Sequence, residues 1–249
     1  MNIAVLTIFP EMIASFLGYG IVRRAVESGL IAVHAVDIRD FAEGRHRVTD
    51  DRPYGGGSGM VMKPEPLEGA IDAVKSRMPS ARTILLSPQG RKFDQFLARA
   101  LSREEGLILV CGRYEGVDER IILDRVDEEI SIGDYVLTGG ELAAAAIIDA
   151  LTRFIPGALG GEDSAERDSF EEGLLEHAHY TRPAVFRGEE VPEVLLNGNH
   201  REIDNWRLES SLVRTLLKRP DLLKKKVLSD REIGILKKWC RTIEDLISS

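Results

Sequence analysis

Apolar positions in the first part of the chain fall into short β-branched runs: Ile3–Ile8, Ile31–Ile38, Thr83–Leu86, Leu107–Val110 and Glu128–Ile132. Between these runs the apolar residues recur at a helical period. That spacing predicts helices over Pro10–Glu27, Pro64–Met78, Phe93–Ser102, Val117–Asp124 and Gly140–Arg153. Such alternation of strand and helix predicts an α/β domain with a mostly parallel sheet. Leu107–Val110 is apolar on both faces, as suits a central strand covered by helices on each side. The segment Leu142–Leu151, with Ala143–Ala146 in its middle, is apolar almost all round, which predicts a fully buried helix lying under the sheet or against a second subunit.

After about residue 156 the pattern changes. Glycines at 157, 160 and 161 and a polar run to Ser169 read as a linker. Beyond it, Asn199 with Glu202, and Ser229 with Glu232, have the spacing of helix N-terminal capping pairs. Ile203, Trp206, Val213 and Leu217 form one helical stripe that Pro220 should end. Ile233, Leu236, Cys240, Ile243 and Ile247 continue a helical period. The organisation expected is a domain over residues 1–160, a linker over 161–169 and a small helical domain over 170–249.

Composition narrows the class. With 249 residues, 43% apolar and 30% charged, the chain has enough material for a core without disulfides or metals. The longest apolar run, Leu142–Ile148, is far short of a membrane span, so no membrane is expected. The start carries no basic segment leading into an export signal, and two cysteines, Cys111 and Cys240, give no secreted framework. A cytoplasmic protein is expected. The net charge of −8 argues mildly against nucleic acid, but basic and acidic residues balance after Phe170, 14 of each, so a basic patch is open to the C-terminal part.

In open α/β sheets ligands bind beyond the carboxyl ends of the strands. The loops there are unusual: Ser87-Pro88-Gln89-Gly90, then Cys111-Gly112-Arg113-Tyr114-Glu115-Gly116, then the run from Ile132 through Gly133, Asp134, Tyr135, Val136, Leu137, Thr138 and Gly139 to Gly140. One such glycine loop is most simply a tight turn. Three at successive strand ends point to a site. None has the dinucleotide or phosphate-loop spacing, which disfavours nicotinamide and nucleoside-triphosphate enzymes. The long connection Arg39–Lys63 carries Arg39, Arg45, His46, Arg47 and Arg52 beside the glycine run of Asp51-Arg52-Pro53-Tyr54-Gly55-Gly56-Gly57, a composition suited to a lid over an anionic or planar partner. His177 and His179 lack a third convergent ligand, and no metal site is expected there. Lys224-Lys225-Lys226 reads as a solvated face.

These loops, with Asp51–Gly57, Asp168-Ser169-Phe170 and His179-Tyr180-Thr181-Arg182-Pro183, closely resemble the bacterial tRNA (guanine-N1)-methyltransferase family, in the same order and spacing from Ile3 to about Leu223. The resemblance implies the SPOUT fold, with a deep trefoil knot, which periodicity alone does not suggest. It implies methyl transfer from S-adenosylmethionine to N1 of the guanosine just 3′ of the anticodon, tRNA position 37, in support of reading-frame maintenance. It further implies dependence on a divalent cation, usually magnesium, and a homodimer with composite active sites. By position the cofactor would be held at Leu86, Ser87, Pro88, Gly112, Tyr114, Glu115, Ile132, Gly133, Tyr135, Leu137, Gly139 and Gly140. Asp168 matches the family's base and Arg153 the residue that neutralises guanine O6.

On spacing alone Asp168 is as easily a helix N-cap before Phe170, and Arg153 a cation at a helix C-terminus. Arg207, Arg214 and Lys218 lie near one line of a helix and suit RNA phosphates of the anticodon stem-loop, or equally a solvent face. Two other readings compete: a related knotted enzyme acting on ribose hydroxyls or ribosomal RNA, and a non-catalytic RNA-binding protein.

Overall fold

Two faces of the same strands bury two different sets of side chains. In β1 (Asn2–Thr7), Ile3 and Val5 point to one side and Ala4 and Leu6 to the other; in β6 (Gly106–Cys111), Leu107, Leu109 and Cys111 oppose Ile108 and Val110. The period-2 alternation of a strand does this. Both sides are covered, so the runs are apolar throughout. A computed structural model describes residues 1–160 and 168–248; the residues of the expected linker from 161 to 167 lie outside that description. The chain divides into two compact units, Met1–Glu162 and Asp163–Ser249.

In the first unit, five strands pair in the order β2-β1-β6-β5-β7, where β2 is Ala32–Asp37, β5 Arg82–Lys92 and β7 Glu128–Ser131. All four pairings are parallel. Helices α1 (Pro10–Leu17), α2 (Gly20–Glu27), α4 (Gln95–Leu101) and α6 (Glu141–Thr152) cover the Ile3–Leu107 face. Helices α3 (Pro64–Lys75) and α5 (Glu119–Arg125) cover the other. Each fully buried Leu or Ile here contributes about 1.5–3 kcal/mol of apolar burial, which makes β6, buried at every residue, the axis of the unit.

Four expectations change. The helix over Pro10–Glu27 is two helices, because Tyr19 is extended and Gly20 turns the chain at φ +65°. Ser87–Gly90 is not a loop beyond the strand but an irregular stretch inside β5, whose pairing with β7 jumps from Leu86 to Arg91. Gly90 passes against the backbone of Glu129 and Ile130, leaving no room for a Cβ. Helix α6 is not buried all round: Glu141, Ala144, Ile147, Ile148 and Leu151 face the core, while Leu142, Ala146 and Asp149 are exposed. Lastly, the connection from Arg39 to Lys63 is partly ordered by β3 (Asp50–Asp51) and β4 (Val61–Met62), an antiparallel pair.

In the second unit, β8 (Val185–Phe186) and β9 (Glu189–Glu190) form a small hairpin before α7 (His200–Lys218). Asn199 caps α7 through Glu202 N–H, as its spacing predicts. Leu212 and Thr215 are its buried residues; Leu217, expected on the apolar stripe, is 76% exposed because the stripe faces away from the packed segment at that turn. Pro220 ends α7 and at once opens the short α8 (Pro220–Lys225). Helix α9 (Asp230–Ser248) starts at a reciprocal capping box: Ser229 N–H donates to Glu232 Oε2 at 2.7 Å, and Glu232 N–H to Ser229 Oγ at 3.3 Å.

Candidate functional site

In the sheet β5 lies between β6 and β7, and its irregular stretch, together with the chain leaving the carboxyl ends of those two strands, encloses a cavity of about 440 Å³. Its first wall is the irregular stretch Leu86–Gln89. The second is Gly112–Gly116, held from below by β4: Met62 N–H donates to Gly116 O at 2.9 Å and Glu115 N–H to Met60 O at 2.9 Å. Tyr114 sits in the left-handed region at φ +59° and is 49% exposed. The third wall is Ile132–Gly140. Ser131 Oγ receives Gly133 N–H at 3.2 Å, and Gly140 N–H donates to Gly112 O at 3.0 Å, joining the third wall to the second.

All twelve positions expected to hold a cofactor line this one cavity. The glycines have different reasons for being there. A Cβ on Gly140 would stand 2.7 Å from Cys111 Cα, and one on Gly133 would stand 2.6 Å from the Tyr135 ring. A Cβ on Gly139 would collide with the Arg113 side chain. At Gly140 the cavity floor is therefore backbone laid directly on backbone, which leaves peptide edges open to a ligand beside the side chains of the wall.

Arg113 and Glu141 carry no role in the sequence reading, yet they form the most buried ion pair of the first unit among the described residues. The guanidinium reaches under Gly139: Nη2 donates to Glu141 Oε2 at 2.8 Å and Nε to the same oxygen at 3.0 Å. Thr7 Oγ1 donates to Glu141 Oε1 at 2.6 Å. The Arg113 guanidinium also lies 4.5 Å from the centroid of the Phe9 ring. Glu141 is the first residue of an apolar helix, and periodicity gives no sign that it turns inward.

Two acidities are displaced here. Burial pushes the Cys111 thiol well above its usual value, Glu141 adds to this, and Arg113 opposes it. The Tyr114 phenol is raised by burial and then by the Asp50 carboxylate of β3, against the pull of Arg39 and Arg113. Asp50 therefore brings the lid connection to the second wall. Its tip, with Tyr54 and positive-φ glycines at 55, 56, 57 and 59, is exposed.

Arg153 is the C-cap of α6 and half-buried. Asp168 is half-buried in the second unit, where its carbonyl accepts from Glu171 N–H at 3.3 Å in a turn; no helix starts at Phe170, so the N-cap reading of Asp168 is overturned. Of the three cations expected to face RNA, Arg207 lies 3.6 Å from Asp204, Arg214 Nε donates to Glu176 O at 3.2 Å, and Lys218 is exposed. The His177 and His179 rings meet at 4.4 Å between centroids, tilted by 46°, with Trp206 and Tyr180 beside them. Among the described residues, no three His, Cys, Asp or Glu side chains are placed to share a metal ion, and no helix is long and apolar enough to cross a membrane.

Residues 1–225 match the family described as tRNA (Guanine-1)-methyltransferase TrmD. The chain is 59% identical to the tRNA (guanine-N(1)-)-methyltransferase of Desulfatibacillum aliphaticivorans, over 99% of this chain and 94% of that one. It is 57% identical to the protein of the same name from Myxococcus xanthus, over 94% and 95% of the two chains, and 50% identical to that from Listeria innocua, over 96% and 98%.

Proposed function

We infer the reaction from one premise: this chain belongs to the tRNA (guanine-1)-methyltransferase family. It is a tRNA (guanine-N1)-methyltransferase of the SPOUT class. The finer reading we propose is methylation of N1 of the guanosine just 3′ of the anticodon, with the cavity of the first unit as the seat of S-adenosylmethionine. The observation that carries this reading is the convergence of the irregular β5 stretch and the segments that follow β6 and β7 on one cavity.

The residues fit such a ligand. Leu85, Ile130 and Ala143 offer apolar surface for a planar base, and the close approach at Gly140 keeps the peptide edges of the floor accessible. When bound, the sulfonium supplies an already activated methyl group. The chain must supply the rest. Guanine N1 carries a proton and its lone pair is delocalised in the ring, so a base has to take that proton as the N1–methyl bond forms. Charge then grows on O6 and needs a cation nearby. We assign the base to Asp168 and the cation to Arg153, with Arg207, Arg214 and Lys218 holding phosphates of the anticodon stem-loop.

The same reading includes the trefoil knot, a catalytic role for residues 1–160 with RNA binding by residues 170–249, a cytoplasmic location and a homodimer. The exposed face of α6 at Leu142, Ala146 and Asp149 supports a contact with a second copy there. Magnesium dependence also belongs to it, but no metal cluster is formed by the described residues and no step is assigned to the ion. Activity titrated against a chelator tests it.

The deciding experiment is methyl transfer from labelled S-adenosylmethionine to two tRNA transcripts that differ only in guanine or adenine 3′ of the anticodon. Label on the guanine transcript alone is expected. Equal label on both places the methylated position elsewhere. No label on either, with the cofactor still bound, favours a non-catalytic RNA-binding protein.

A further inference from the structure

Arg113 lines a cavity that we read as the seat of a cation. The side chains with formal charge on its wall are Arg113, Glu115, Glu119 and Glu129. An unbalanced guanidinium in a partly dry wall would repel a sulfonium, because charges there are weakly screened. Arg113 is not unbalanced. Its guanidinium is bound twice by Glu141, whose side chain is 1% exposed, and the free side of that carboxylate is closed by Thr7. Removing Glu141 from water has a cost that no exposed surface ion pair bears, and a neutral residue of the same shape would spare it. The pair therefore invites a role beyond packing.

We propose that Glu141 is a specificity-determining positioning residue, which cancels the Arg113 charge in the cavity wall so that the site accepts a net cation. With the pair intact, the charge presented to a ligand is that of Glu115, Glu119 and Glu129, and it is negative. S-adenosylmethionine carries one net positive charge through its sulfonium. The S-adenosylhomocysteine left after transfer is a neutral thioether of nearly the same shape. The wall thus holds the donor by charge and has less hold on the product. This rests on the reading of the cavity as the donor's seat.

The test is calorimetric titration of both ligands into the full chain. In Glu141→Gln the Arg113 charge is uncancelled, and affinity for S-adenosylmethionine should fall about tenfold more than affinity for S-adenosylhomocysteine. In the double variant Arg113→Met/Glu141→Gln both charges are gone, and the ratio of the two affinities should return to within about threefold of the unmodified value. Equal loss of both ligands in Glu141→Gln would reduce the pair to a structural strap and overturn the proposal. If that variant does not fold, Arg113→Lys/Glu141→Gln, which keeps one uncancelled cation, decides: a ratio displaced against S-adenosylmethionine supports the proposal and an unchanged ratio overturns it. If the unmodified chain binds neither ligand, the reading of the cavity fails instead.

Discussion

Gly140 lies against Cys111 so closely that a Cβ on it would stand 2.7 Å from the Cys111 Cα. The obstruction is the backbone of the central strand, which cannot swing aside. Gly140→Ala should therefore cost about 1–3 kcal/mol of stability, the usual range for forced overpacking, and abolish ligand binding. Gly139→Ala meets only the Arg113 side chain. Displacing that side chain breaks its buried pair with Glu141, so this variant should bind more weakly and lose about 3–5 kcal/mol. Urea midpoints for the two variants check the difference.

Asp168→Asn keeps the shape of the side chain and removes the base. Turnover should fall about 10²–10⁴-fold, the range for loss of a general base, while the calorimetric affinity for S-adenosylmethionine stays within about twofold, since Asp168 is not among the residues that line the cavity. Retained turnover would place the base elsewhere.

Arg214 and Lys218 should separate by experiment, although both were placed on one stripe. Lys218→Gln should lower the slope of tRNA affinity against salt by about one, the signature of a lost phosphate contact. Arg214→Gln should also lower the thermal midpoint, because its guanidinium holds the Glu176 carbonyl beside α7.

Burial pushes the Glu232 carboxyl up, but the Ser229 N–H and hydroxyl and the Lys226 ammonium pull it down further, leaving it below its usual value. A folded value below the unfolded one stabilises the protein at neutral pH, and that contribution disappears as pH falls through the depressed value. Glu232→Gln should cost about 0.5–2 kcal/mol at neutral pH, as other lost helix caps do. The difference should vanish in acid, below the ordinary carboxylate range, where both proteins carry a neutral side chain. Denaturant midpoints at both pH values check it.

The five strands were legible because each is a short apolar, largely β-branched run, with β1 and β6 buried on both faces, and the two capping pairs at Asn199 and Ser229 were legible because capping is local. What escaped depended on distant neighbours. Pro88 and Gly90 look like a turn, yet β7 recovers the strand at Arg91. Ala146 is as apolar as Ala144, but only packing shows which faces the sheet. The twelve cavity positions were found through resemblance; the convergence of their loops follows from sheet order, which periodicity does not give. Arg113 and Glu141 were missed because their meeting needs the loop after β6 and the first residue of α6 brought together across 28 residues of chain.

The two thiols give the molecule an internal clock. Cys111 is fully buried on the Gly140 floor and its acidity is suppressed, whereas Cys240 is exposed on α9. A thiolate-seeking reagent in native buffer should thus label one sulfur at once and the other only when β6 comes apart. The slow labelling rate measures how often the centre of the first unit opens, with no probe introduced. A ligand seated above Cys111 should lengthen that interval by the factor one plus its free concentration over its Kd.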